Sequence, residues 1–208
     1  MSRFGLSLGF GDKTVKEVCE MNNVDCQTFL VVVNFMAEGF SRMDGSADDI
    51  SIPALVDYLR QAHIYFLDYC LPAIRRKLIE AIDCSQDDVS FLILKFFDGY
   101  MREVRKHMEY EEKTVFKYVD TLIHGNAPKN YQISTFSKHH DQVGERLTEL
   151  KNIIIKYCPA KANTNVLNAA LFDIYACEEG LESHCKVEDY LFVPAILKLE
   201  RRMRENEK

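Results

Sequence analysis

The chain has 208 residues, of which 47% are hydrophobic and 28% charged, so it carries ample material for a buried core and is not intrinsically disordered. Asp and Glu number 32 against 26 Lys and Arg, giving a formal charge of −6, and that mild acidity argues against a nucleic-acid partner, which wants a basic patch. Seven cysteines without a Cys-x-x-Cys pair fit neither a disulfide framework nor a zinc ribbon and read as reduced thiols; with no apolar run near 18 residues for a membrane span, the chain reads as a soluble cytoplasmic protein.

Residues 1–46 differ from the rest. Gly5, Gly9 and Gly11 punctuate the start, Asp12 precedes a short helical pattern through Met21, and a second helix runs from Asp25 to Glu38. Two short helices bury little alone, so this small segment is expected to dock or to lack an upstream part. Ser41–Ile50 has the polar, glycine-containing makeup of a linker. From Ile52 four long helices are expected. The first covers 52–82, with Pro72 kinking or breaking it; the second covers 86–123, opened by Ser85 and closed by Gly125. The third covers 134–157 and the fourth 165–204, the last continuing into a solvated tail. No strand pattern appears. The expectation is all-α: a small N-terminal helical segment at 1–46, then an up-down four-helix bundle over 52–208.

Following the apolar seam of each helix is the informative step. The first reads Ile52, Val56, Leu59, His63, Phe66, Cys70; the second Ile93, Phe97, Tyr100, Val104, His107, Glu111, Val115, Tyr118, Leu122. The third gives Phe136, His140, Val143, Leu147, Leu150, Ile154, and the fourth Ile174, Cys177, Leu181, His184, Glu188, Leu191, Ala195. Each stripe is broken by a histidine, and two also by a glutamate one turn later. Burying an uncompensated carboxylate costs several kcal/mol, and an imidazole with an unmet nitrogen costs about 1–3 kcal/mol, so six such groups demand compensation. A dinuclear metal centre supplies it, and bundle cores are where such centres are built.

The intervals agree. His63 to His107 and His140 to His184 are both 44 residues, and the second and fourth helices share His-x-x-x-Glu followed by another acid. An i,i+4 pair lies on one helix face, about 6 Å apart along the axis. The chain thus reads as two similar helix hairpins, whose candidate ligands are His63, His107, Glu111, His140, His184 and Glu188. Two bridging carboxylates leave room for a bridging oxygen and favour two iron ions, with manganese or zinc as alternatives. His139, turned about 100° from the seam, takes a supporting or surface place. Tyr100 and Tyr118 are candidates to orient ligands or line a pocket. Glu112 and Asp189, one position past the seam, are assigned to solvent or a supporting role. His124 is assigned to capping, and Cys70, Cys177 and Cys185 to small buried hydrophobes.

The chain has no Glu-x-x-His, the phrase of ferritin-like di-iron proteins. Over roughly 52–204, His63, His107-Met-Glu-Tyr-Glu111, His140-Asp141 and His184-Cys-Lys-Val-Glu188 resemble the hemerythrin-like fold, specifically the repair-of-iron-centres proteins of iron–sulfur cluster repair. That resemblance implies four terminal histidines and bridging Glu111 and Glu188. Where oxygen-carrying hemerythrins have a second histidine, this chain has Gly144, which favours the repair type. The run 11–19 is similar to the small domain preceding the bundle in repair proteins, with Gly9-Phe10 where that domain carries an adjacent cysteine pair. That domain's first helix is absent, which points to a late or truncated start at Met1.

The resemblance implies a non-haem di-iron protein of the nitrosative and oxidative stress response that repairs or supplies iron to damaged iron–sulfur clusters. Its partners would be cluster proteins as clients and the diatomic ligands nitric oxide and oxygen, with a homodimer left open. The alternative is an oxygen or nitric oxide sensor or carrier.

Overall fold

The computed structural model describes residues 1–38, 50–82, 88–126, 131–138, 143–159 and 162–206. Among them every regular element is helical. A 3-10 turn, Ser2–Phe4, precedes α1 (Val15–Met21) and α2 (Cys26–Glu38). α3 (Ile52–Ile64) runs through a π-helical turn, Tyr65–Cys70, into α4 (Leu71–Ala81). α5 (Asp88–Tyr110) continues through a second π turn, Glu111–Val115, into α6 (Phe116–Ile123). A 3-10 turn, Ile133–Lys138, precedes α7 (Val143–Tyr157), and α8 (Thr164–Val187) passes through a third π turn, Glu188–Phe192, into α9 (Val193–Asn206). The expected linker falls almost wholly at 39–49, and the Ser85 start of the second helix at 83–87, both outside the described residues.

Local chemistry sets the helix ends. Thr14, not Asp12, starts α1 through a capping box: Thr14 Oγ1 accepts the Glu17 amide at 3.3 Å, and Glu17 Oε2 accepts the Thr14 amide at 2.7 Å. Asp25 Oδ1 accepts the Thr28 amide at 2.7 Å and opens α2. Past α6 the chain turns at Gly125, whose φ of +83° suits a residue without Cβ, and His124 Nδ1 lies 2.8 Å from the Asp120 carbonyl as a cap. Pro72 does not break the first long helix. It sits in the first turn of α4, directly after a π turn in which the Leu71 amide donates to the Phe66 carbonyl, and the wider turn absorbs the proline.

The chain folds into two compact units. One takes residues 1–63, 111–138 and 183–208. Its core joins Val32 and Phe35 of α2, Leu55 and Leu59 of α3, Phe116 and Val119 of α6, and Leu191, Phe192 and Ile196. The N-terminal helices therefore dock, and the buried Thr28 Oγ1 accepts the Ser51 amide at 2.9 Å. The other unit takes residues 64–110 and 139–182 and buries Leu71, Ile74, Leu78, Ile93, Phe97, Tyr100, Leu147, Leu150 and Ile174. Arg75 and Asp98 pair across α4 and α5 at 2.6 Å, and Lys77 meets Asp173 at 2.6 Å.

The seam holds at most expected positions. Ile52 and His107 are only half-buried, and a further departure follows the third π turn: Ile196 is fully buried, whereas the expected Ala195 is half-buried. A π turn holds one residue more than an α turn, so the phase slips by one.

Candidate metal centre

Four expected residues converge inside the first unit. His63 comes from the last turn of α3 and His184 from the last turn of α8, while Glu111 and Glu188 each open a π turn. Each offers a ligand atom, and these four atoms lie within 4.8 Å of one another. All four side chains are buried, and both glutamates are fully so. His63 Nε2 is 2.8 Å from Glu111 Oε2, and His184 Nε2 is 3.3 Å from Glu188 Oε1. The two imidazoles stand edge to face, 5.2 Å between centroids, and Phe116 stacks on His63 at 5.5 Å.

The electrostatics favour a cation. Burial alone would lower the His63 pKa, but its bonds to Glu111 and Glu112, with the charges of Glu111 and Glu188, outweigh that and raise it to about 9. The field that keeps a proton on a buried imidazole is one that would hold a metal ion. Two imidazoles and two carboxylates are the donor set of iron, manganese or zinc rather than of calcium or magnesium, so the residues present fit such an ion. Cys185, beside His184, is a poor thiolate candidate: burial first, then the charges of Glu188, Glu111 and Asp189, push its thiol up.

The remaining expected residues are not among these four. His107 ends α5 in the second unit, half-buried with its Nε2 shielded from solvent, and Tyr100 is buried in that unit's core. His139 and His140 lie outside the described residues. Tyr118 gives its hydroxyl to Glu200 Oε1 at 2.6 Å. Glu112, left open between solvent and a supporting role, takes the supporting one. Glu112 Oε1 lies 2.9 Å from His63 Nδ1, and its other oxygen accepts Arg60 Nε at 3.3 Å. Adjacent glutamates thus meet opposite nitrogens of one imidazole. The signal was the second acid after His-x-x-x-Glu.

Buried imidazoles and carboxylates converging inside an all-α chain define a cation-binding helical protein. The sequence matches the hemerythrin HHE cation-binding domain over residues 54–196, more than half of the chain, and the protein belongs to that family. Its fold is therefore the all-α, hemerythrin-like bundle. No curated protein gives a significant match to the chain. Among the described residues no helix is long and apolar enough to cross a membrane.

Proposed function

We propose that this chain is a non-haem di-iron protein of the cytoplasmic response to nitrosative and oxidative stress, which repairs damaged iron–sulfur clusters or supplies them with iron. The observation that carries the reading is the buried convergence of His63, Glu111, His184 and Glu188. In this reading His63, His107, Glu111, His140, His184 and Glu188 would hold the ions. Two iron ions so held would supply one-electron chemistry and affinity for nitric oxide and oxygen. The chain's own part is to hold imidazoles and carboxylates in a dry pocket walled by Phe116, and to let go on demand. Glu188 gaining a proton, or swinging aside, would loosen one iron as cargo. Gly144, in place of the second histidine of oxygen carriers, supports repair over transport.

Metal analysis of protein purified from its host tests the site, with two irons per chain expected. Glu188→Ala tests delivery: iron should pass faster to a chelator, and reactivation of a nitric-oxide-damaged iron–sulfur enzyme should fail. Iron-free protein, or unchanged release from the variant, would overturn the proposal. Membership of the hemerythrin family also favours a second reading, an oxygen or nitric oxide sensor or carrier. A reversible optical change on oxygenation, with no loss of iron, would select it.

A further inference from the structure

The contacts of His63 continue outward to solvent. Its Nε2 faces Glu111 at 2.8 Å, while its Nδ1 lies 2.9 Å from Glu112 Oε1. Glu112 Oε2 in turn accepts Arg60 Nε at 3.3 Å, and Arg60 lies one helical turn before His63 on α3. Side-chain exposure climbs along this line, from 4% at His63 to 37% at Glu112 and 43% at Arg60. Phe116 closes the arrangement, with its ring stacked on His63 and the Arg60 guanidinium 5.5 Å from its centre. All of these residues belong to one compact unit.

We infer that Glu112 and Arg60 are positioning residues for His63, and that this brace sets how fast the metal held by His63 is released. The inference rests on the metal-site reading above. An imidazole donating Nδ1–H to a carboxylate has its tautomer and ring plane fixed, so Nε2 offers its lone pair inward, and it becomes a stronger ligand. A half-exposed ion pair such as Arg60–Glu112 adds little to folding stability by itself. Its worth therefore shows in metal retention. Because the brace reaches solvent, it can be broken without unpacking the core, and His63 is then free to rotate away from the ion.

The experiment uses the full chain loaded with iron, and compares wild type with Glu112→Ala, Glu112→Gln and Arg60→Ala. Iron release to a chelator should quicken roughly 10–100-fold in Glu112→Ala. The Gln variant should fall between, since it keeps an acceptor oxygen, and Arg60→Ala should show the smallest change. Urea unfolding of the metal-free Arg60→Ala protein should be unchanged, which a merely structural role would not predict. In zinc-loaded protein, imidazole nitrogen resonances should show His63 protonated at Nδ1, with that proton exchange-broadened in Arg60→Ala and Glu112→Gln. Release and resonances matching wild type in all three variants would overturn the inference while leaving the site intact, provided that Glu188→Ala loses iron. Wild-type protein that retains no metal would overturn both.

Discussion

At the scale of single residues, charge placement separates groups that tune a site from groups that only tie helices together. Arg75 and Asp98 belong to the second kind. The guanidinium donates Nε to Oδ1 at 2.6 Å and Nη2 to Oδ2 at 3.1 Å, and this contact holds the Asp98 carboxyl below its ordinary value. A carboxyl favoured in its ionised form by folding contributes stability that is present above its unfolded pKa, about 4, and is lost as pH falls through the lower folded value. With both side chains about a third exposed, solvent screening keeps that contribution under about 1 kcal/mol. Asp98→Asn should therefore cost a few tenths of a kcal/mol, at most about 1, at neutral pH and nothing once pH falls below the folded value, so that the acid limb of the stability profile flattens below about pH 4. Urea melts across the acid range would check this. A loss as large at acid pH as at neutral pH would contradict it.

At the scale of elements, Glu200 of α9 gathers what the helices around it present. Its Oε1 accepts the Tyr118 hydroxyl of α6 at 2.6 Å and the Ile133 amide at 3.0 Å, and Arg204 approaches its other oxygen at 3.3 Å. Tyr118→Phe removes one bond to a buried charge and should cost about 1.5–3 kcal/mol, read from chemical denaturation. Glu200→Ala leaves the Tyr118 hydroxyl and the Ile133 amide without this acceptor and should cost more. The same scale decides how much was legible in the sequence. Apolar seams named the helices, and His-x-x-x-Glu named the carboxylates, because both signals repeat at 3.6 residues. The π turns broke that count. Glu112 was left between solvent and a supporting role because an α step of about 100° turns a neighbour away from the seam; in a π turn the step is smaller, and it stays beside His63. Ala195 gave way to Ile196 for the same reason. A signal was present: the π turns before Pro72 and Pro194 both run into Pro-Ala-Ile, at 72–74 and 194–196.

At the scale of the whole molecule, the proposed centre ties folding to metal. His63, Glu111, His184 and Glu188 come from three helical runs that are far apart in sequence, and their convergence exists only in the folded chain. An ion bound there and not to the unfolded chain stabilises by mass action, about 2.7 kcal/mol when free metal is a hundredfold above the dissociation constant. Stripping the metal with a chelator should lower the melting temperature by roughly 5–10 °C for a chain of this size. His184→Ala should melt near the stripped value and ignore the chelator. A wild-type melt indifferent to chelation would count against metal as a partner of the fold.

The π turns at Glu111 and Glu188 also bear on how this chain should be compared with others, and on how its centre could be transplanted. Each such turn amounts to a single added position lodged mid-helix, where gaps are seldom allowed. An alignment that admits indels only in loops would put every side chain downstream out of phase. A designer grafting the tetrad onto ideal straight helices would meet the same error in three dimensions: the extra amino acid has to travel with the carboxylate.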